Sequence, residues 1–359
     1  RSPVADSVKG RIPSLSLLAV VIASVLHVPQ GMAADAQTSS DNAATSQPVN
    51  SKQNTSNSKS STLVVTAQDQ ANDSGAPKPT DYNVPLTRAA TKMALTARDT
   101  PQSISVITKQ RMEDQQLDTL SDVLQNTTGI TQENSGANRS NYYSRGFKID
   151  NYQIDGVPVL EDSVWNLGDT LSDTAIYDRV EVVRGATGLM SGVGDPAASV
   201  NMIRKQADSK TFKGNLNTSY GSWGNQRYVA DLSGPLSENG RVRGRVVAGY
   251  QRSGSWLDDY HTQKKFFYGT VAADLTDSTT LSLGYDYEET QVHGATWGGL
   301  PTFYLDGSKT DYKRSTNLSP SWAYNNVHNR TVFASLKQQL ANGWEFNLTG
   351  THSEAEMDS

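Results

Sequence analysis

Histidines, cysteines and paired carboxylates are the residues that most often catalyse reactions or bind metals, and this sequence does not group them. The 359-residue chain has no cysteine, so it offers neither a thiolate ligand nor a cysteine nucleophile. No Ser/His/Asp or paired-carboxylate constellation stands out. Five histidines are scattered without the helical or turn spacing of a metal site: His27, His261, His293, His328 and His352. We therefore predict no enzyme activity, no metal ligand and no resident cofactor.

A glycine-rich loop is the other feature that could bind a ligand directly. It contains Gly185, Gly188, Gly192 and Gly194 and follows a strand-like segment at 180–183. Such a loop can cradle phosphate, but here no Lys-Ser/Thr pair follows and no helical pattern opens after it. We expect instead that these glycines allow positive φ angles and close packing.

The composition and the N-terminal residues indicate an exported protein. The net charge of −5 argues against a nucleic-acid partner, since such proteins are usually basic. A basic start, an apolar run at 15–28 and a small-residue exit predict a signal peptide at 1–34, cleaved after Ala33 or Ala34. The start without Met and the end at Ser359 inside a strand-like pattern suggest that both ends are truncated.

One short apolar segment interrupts a long polar stretch. Residues 35–61 are almost entirely small and polar, which predicts a disordered linker, and a second linker follows at 68–87. Between them lies an extended, β-prone segment suited to adding itself as a strand to a partner's sheet, the alternative being an incidental patch. Its residues are Thr62, Leu63, Val64, Val65, Thr66 and Ala67.

Residues 88–205 predict a compact α+β domain. A strand pattern at 103–107 precedes apolar residues at helical spacing between Leu117 and Leu124. Residues 152–159 predict a hairpin that turns at Asp155-Gly156.

After Lys213 the sequence alternates apolar and polar residues in successive segments, for example at 242–250, 281–287 and 344–349. One apolar and one polar face per segment of about ten residues is typical of a transmembrane β-barrel with a wet lumen, and short turns alternate with longer loops. We predict the N-terminal part of a barrel at 206–359, with about seven strands; a soluble β-sandwich is the alternative. Alone, such a sheet would have two unpaired edges, and we expect it not to insert stably.

Several motifs then occur together and in a fixed order. They are Ser144–Phe147, Ile154–Pro158, Arg179–Ala186, Gly188–Gly192 and Asn201–Ile203. On these motifs the sequence resembles the plug of TonB-dependent siderophore receptors. The resemblance implies an α+β plug domain followed by the first strands of an antiparallel transmembrane β-barrel, incomplete in this chain. It also implies the outer membrane of a Gram-negative bacterium, with a ferric siderophore, TonB and outer-membrane lipid as partners.

Further sequence stretches indicate which class of siderophore to expect. Arg111–Leu117, Trp165–Asp169 and Thr296–Pro301 are similar to receptors of this family for ferric coprogen and ferric rhodotorulic acid, which favours a hydroxamate siderophore. Val164 departs from that pattern, in which a basic residue is expected. By the same resemblance Thr62–Ala67 is the TonB box, and the iron is held by its chelator rather than by protein ligands.

Single residues in the expected apical and outer loops are candidates for ligand binding because of their side-chain chemistry, the alternative being that they are ordinary exposed loop residues. Arg139 is expected to donate charge-assisted hydrogen bonds to siderophore oxygens, and Tyr142 and Trp165 to provide flat contact area at the plug apex. Trp297 is expected to close over the ligand from the longest loop. Arg145 and Arg184 are implied by the resemblance to anchor the plug to the barrel through glutamates on later strands.

Two other functions remain open at this point. One is a TonB-dependent receptor for cobalamin, haem, an oligosaccharide or another siderophore class, although the predicted apical loops contain no histidine of the kind a haem receptor would use. The other is an outer-membrane barrel enzyme.

Overall fold

The computed structural model describes residues 101–134, 139–159, 172–185, 195–296 and 298–358, together with Gly136 and a few positions between 82 and 100. The chain divides into two compact units, 1–67 and 68–359, and every described residue belongs to the second. The predicted signal peptide, the linker 35–61, the predicted TonB box and most of the linker 68–87 lie outside the described residues.

The first part of the described chain is a mixed α+β domain, which we call the plug. Its helices are α1 (Lys109–Asp114) and α2 (Leu120–Gln125). Its strands are β1 (Ser103–Thr108), β2 (Thr131–Asn134), β3 (Ser140–Ser144), β4 (Phe147–Lys148), β5 (Asn151–Ile154), β6 (Val157–Val159), β7 (Tyr177–Arg184) and β8 (Ala198–Arg204). The main sheet of the described plug has the order β1-β7-β8-β5-β6, and β2, β3 and β4 form a smaller antiparallel sheet. The β5–β8 pair is parallel and the other pairs are antiparallel.

The helix boundaries follow from side-chain caps. Thr108 ends β1 and caps α1 with its hydroxyl oxygen. Thr119 and Asp122 form a reciprocal capping box, in which the Thr119 hydroxyl accepts from the Asp122 amide at 3.1 Å and the Asp122 carboxylate accepts from the Thr119 amide at 2.9 Å. Because of this box the helix starts at Leu120 rather than at Leu117, where the apolar spacing begins.

The predicted turn at Asp155-Gly156 joins β5 to β6. Both residues have positive φ angles, 51° and 77°, as a tight hairpin turn requires. The Asp155 carboxylate accepts hydrogen bonds from the backbone amide and from Nε of Arg204, at 2.9 and 2.7 Å. The turn is therefore tied to the end of β8.

One apolar cluster joins the helices to the main sheet of the plug. Ile107, Val123, Val180, Val182 and Val200 are each fully buried within it. A fully buried side chain of this size stabilises the fold by about 1.5–3 kcal/mol relative to an exposed one, so this cluster is the main source of plug stability.

The rest of the described chain is one antiparallel sheet in which each strand pairs with the next along the sequence. This is the predicted arrangement of barrel strands. The strands are β9 (Lys213–Tyr220), β10 (Gln226–Pro235), β11 (Val242–Gly254), β12 (His261–Asp274), β13 (Thr279–His293), β14 (Tyr324–Gln339) and β15 (Glu345–Asp358). The turns 236–241, 275–278 and 340–344 close one end of the sheet, which we call the inner end. The connections 221–225, 255–260 and 294–323 lie at the opposite, outer end, and of these 294–323 is much longer than the inner turns. The predicted alternation of short turns with longer loops is therefore seen at 294–323 but not at 255–260, which has the same length as the inner turn 236–241.

The two faces of the strands differ as the alternation predicted. Inward residues such as Lys264, Tyr268 and Glu288 are buried against the plug. Many outward residues are apolar and exposed, as expected of a surface that faces lipid. They include Leu216, Val246, Val271, Leu283 and Val332.

The helices are not candidates for membrane spans. In the part of the chain that the structure describes, none is long and apolar enough to cross a bilayer.

Candidate functional site

A large cavity opens at the outer end of the sheet, between the plug and the loops. Its volume is about 1180 Å³, which is large enough for a sizeable organic ligand. Asn134 and Gly136, at the tip of the β2–β3 hairpin, line it from the plug side. The loops 255–260 and 294–323 supply the opposite wall. We call this space the outer cavity.

The loop wall of the outer cavity contains several aromatic side chains and one arginine. Trp256, Trp322 and Tyr324 line it and are 48%, 79% and 44% exposed. The guanidinium of Arg314 lies 5.9 Å from the ring centroid of Trp256, within the range of a cation–π contact. This wall offers flat contact area beside a positive charge, which suits a large ligand rich in oxygen acceptors.

Hydrogen bonds between the two loops hold them together. The Asp258 amide donates to the carbonyl oxygen of Ser315 at 2.8 Å. The side-chain amide of Asn317 donates to the carbonyl oxygens of Asp258 and Gly294, at 2.8 and 2.9 Å. The cavity wall is therefore one connected structure rather than two separate loops.

The four predicted ligand-binding residues have different outcomes. Arg139 is half-buried beside β3, in the same hairpin as the cavity-lining Asn134. Tyr142 is only 1% exposed, and its hydroxyl donates to Ser121 Oγ at 2.7 Å, so in this structure it belongs to the plug core. Trp165 and Trp297 lie outside the described residues.

The residues beside Trp297 are informative. Thr296 and Gly298 both line the outer cavity, and the role of Trp297 itself stays a prediction. Sequence reasoning missed Trp256, Arg314 and Trp322, although aromatic residues in the connections 255–260 and 294–323 were a usable signal.

A buried ionic cluster attaches the plug to the inner face of the strands. Asp173 is fully buried and receives two hydrogen bonds from Arg227 of β10, at 2.6 and 2.8 Å. Lys264 of β12 lies 3.7 Å away, and the Asp173 backbone amide donates to Glu288 of β13 at 3.0 Å. Asp118 approaches Arg227 at 3.3 Å. We call these five residues the plug seat.

Charge neutralisation determines the ionisation of Asp173. Burial alone would raise the pKa of Asp173, but its hydrogen bonds with Arg227 and the positive charges of Lys264 and Arg227 outweigh burial and lower that pKa below its ordinary value. Asp173 is therefore a buried carboxylate with its charge retained.

A second ionic contact lies where the plug chain enters the sheet. Lys205 Nζ is 2.8 Å from Asp231, and Arg245 binds the same carboxylate through Nε and Nη2 at 2.9 and 2.8 Å. The hydroxyl of Tyr268 donates to the backbone oxygen of Lys205 at 2.6 Å. The plug exit is thus fixed to β10, β11 and β12.

Lys205 predicts a measurable pH dependence. Burial lowers the pKa of Lys205 to about 8, although Asp231 partly opposes this. The unfolded chain, with a lysine pKa of about 10.4, binds more protons between these values, so stability rises with pH across that window. In wild type this rise in the free energy of unfolding amounts to up to about 3 kcal/mol, and Lys205→Met should remove it. Unfolding midpoints at pH 8, 9 and 10 check this, and parallel pH profiles for the two proteins would contradict it.

Arg145 and Arg184, the predicted anchors, lie close together. Gly185 has a φ of +111°, a conformation that L side chains rarely adopt, and a Cβ atom there would lie 2.8 Å from Arg145 Nη1. Arg184 donates to the hydroxyls of Ser103 and Ser105 at 2.7 and 2.8 Å. Burial and, to a lesser extent, the charge of Arg145 lower the pKa of Arg184. Within the described ranges neither guanidinium forms an ion pair with a carboxylate.

The described residues contain no group of three or more His, Cys, Asp or Glu side chains arranged to hold a metal ion. The geometry thus presents a binding cavity at the outer end and a charged contact between plug and strands.

Comparison with known proteins shows what the chain is similar to. The TonB-dependent Receptor Plug Domain matches residues 96–199. The Ferric-pyoverdine 358 receptor of Pseudomonas putida is 43% identical over 279 residues, covering 77% of this chain and 34% of the relative. The Ferripyoverdine receptor of Pseudomonas aeruginosa is 46% identical over 257 residues, covering 71% and 31% respectively. The chain therefore spans about a third of the length of these relatives.

Solved structures agree with the observed fold. The crystal structure of the ferripyoverdine receptor of the outer membrane of Pseudomonas aeruginosa, bound to ferripyoverdine, superposes with a TM-score of 0.75 at 42% identity. The match covers 78% of this chain and 37% of the solved chain. It includes both the plug and part of the barrel strands, because the plug match alone would span far less of the sequence.

Proposed function

We propose that this chain belongs to the TonB-dependent siderophore receptors and is part of a receptor that takes up a ferric siderophore across the outer membrane of a Gram-negative bacterium. The observation that carries the proposal is the outer cavity, which the plug hairpin and the outer loops enclose together. A ligand bound there touches both the part that is expected to move and the wall that stays in place. No bond in the ligand is made or broken.

The proposed cargo is a pyoverdine-type ferric siderophore. The sequence stretches favoured coprogen or rhodotorulic acid. The two relatives described above, however, are receptors for ferric pyoverdines. The aromatic wall and Arg314 support a large, acceptor-rich ligand, and Arg139, Trp165 and Trp297 remain proposed contacts. Tyr142 is not among them, because its hydroxyl and ring are used within the plug core.

The proposed mechanism couples the cavity to the periplasm through the plug. Siderophore binding at Asn134 and Gly136 shifts the plug, and Thr62–Ala67 then pairs as a strand with TonB. Force from TonB must break the ionic contacts between the plug and the strands in the plug seat, and charges left buried and unpaired there are costly. The free-energy cost of breaking the plug seat therefore keeps the plug in place when TonB is not pulling.

Arg145 and Arg184 are proposed to anchor the plug to strands of the complete barrel. Two neighbouring guanidinium groups repel each other and require an anionic partner if they are enclosed. Their position beside Gly185, at the end of β7, supports this role.

The variant Trp322→Ala tests whether the outer cavity binds the siderophore. Trp322→Ala in the full receptor should weaken ferric pyoverdine binding roughly ten-fold, or about 1.4 kcal/mol, because a large exposed ring is removed from the wall. Titration of purified receptor by intrinsic fluorescence measures the effect. Trp344→Ala is the matched control, since Trp344 is 73% exposed but lies at the inner end. Equal affinities for both variants would contradict the proposal.

A further inference from the structure

Two histidines that are distant in sequence stack at the outer rim of the sheet. His261 begins β12 and His293 ends β13, and the strand register places them directly opposite each other. Their ring centroids are 4.4 Å apart and their planes differ by 9°. The spacing of 32 positions along the chain explains why no metal motif was visible in the sequence.

The pair lies on the outward side of the strands and is accessible. His261 is exposed and His293 is partly exposed, whereas the adjacent Val292 is buried on the inward face. The ring of Tyr324, the first residue of β14, lies 6.3 Å from that of His293. A small aqueous ion can therefore reach both imidazoles.

We propose that His261 and His293 form a binding site for a divalent transition metal such as Cu²⁺, Ni²⁺ or Zn²⁺. Imidazole nitrogens bind Zn²⁺ at about 2.0–2.1 Å, so two nitrogen ligands of one ion lie about 3 Å apart, and the two side chains rotate out of the stack to bring one nitrogen of each ring to that separation. Neutral imidazole suits these metals, whereas Mg²⁺ and Ca²⁺ prefer oxygen ligands. Water completes the coordination.

The two histidines flank the loops that line the outer cavity, so a bound metal ion would affect that cavity. His261 directly follows the loop 255–260, and His293 directly precedes the loop 294–323, so one metal ion would join the bases of both walls. The backbone of Gly294 already donates to Ala323 at 3.0 Å, closing the longer loop at the same level. Metal binding would restrain the two loops, and the site is separate from the siderophore's own iron.

Copper binding to the full receptor in detergent tests the site independently of siderophore uptake. Wild-type receptor and the variants His261→Gln, His293→Gln and His352→Gln are titrated with Cu²⁺, and bound copper is followed by electron paramagnetic resonance. His352 is the control because it is an exposed strand histidine that contacts Glu354 rather than another histidine. Heat-modifiable migration on gels verifies that each variant is folded.

The expected result is one copper equivalent with two-nitrogen hyperfine structure, lost in both His261→Gln and His293→Gln and retained in His352→Gln. Undiminished copper binding in either pair variant would overturn the proposal. The copper signal does not depend on siderophore binding. Absence of siderophore binding in all four proteins would therefore count against the proposed function and not against the metal site.

Discussion

Asp173→Asn is expected to destabilise the seated plug by about 3–5 kcal/mol, because it leaves Arg227 and Lys264 buried without their main counter-charge. Asparagine can still cap the short helical turn at Thr174–Ile176, so the substitution removes charge while retaining the local cap. Calorimetry of the detergent-purified receptor measures the effect as a lower plug unfolding temperature.

A surface ion pair provides the control for Asp173. Asp277 contacts Arg241 at 2.7 Å, but its side chain is 94% exposed. Because exposed pairs contribute little, Asp277→Asn should leave the plug transition almost unchanged. If Asp173→Asn unfolds at the same temperature as Asp277→Asn, the plug seat does not hold the plug in the way that we propose.

Deletion of Thr62–Ala67 is expected to abolish siderophore uptake while leaving siderophore binding intact. The segment is proposed to supply only the strand that pairs with TonB, whereas the cavity is built from later residues. Uptake of radiolabelled iron by whole cells and binding at low temperature separate the two steps.

A six-residue deletion at 50–55 is the matched control for the TonB box. That segment has the same length and lies in the polar linker, so its removal shortens the chain without removing an apolar strand. Uptake should persist in this variant. Normal uptake after deletion of Thr62–Ala67 would contradict its assignment as the TonB box, and loss of binding would show that it contributes to the cavity.

The strands were predictable because every barrel strand must present one face to lipid and one to the lumen. This constraint gives a period of two, and Leu281, Leu283 and Tyr285 follow it in both sequence and structure. The Asp155-Gly156 turn was predictable for a related reason, since few residue pairs adopt positive φ angles.

The binding site was less predictable because loops have no such period. Trp256 and Trp322 belong to loops whose meeting depends on contacts such as that of Asp258 with Ser315. The Tyr142–Tyr143 pair illustrates another limit: adjacent strand residues point to opposite faces, and the sequence does not say which face is the core. The structure buries Tyr142.

Long-range ionic contacts were also hidden from sequence reasoning. Asp173 and Arg227 are 54 positions apart, and nothing in their local sequence indicates that they pair. Their partnership depends on how the plug sits inside the strands. The same is true of His261 and His293, which only the register of β12 and β13 brings together.

Growth of a receptor-deficient Gram-negative bacterium under iron limitation tests the central claim most directly. The complete receptor gene is supplied, and the cells are fed ferric pyoverdine, coprogen, rhodotorulic acid or ferrioxamine as the only iron source. We predict growth on ferric pyoverdine that requires the receptor gene. Failure to grow on any ferric siderophore, with the receptor present in the outer membrane, would contradict the assignment as a siderophore receptor.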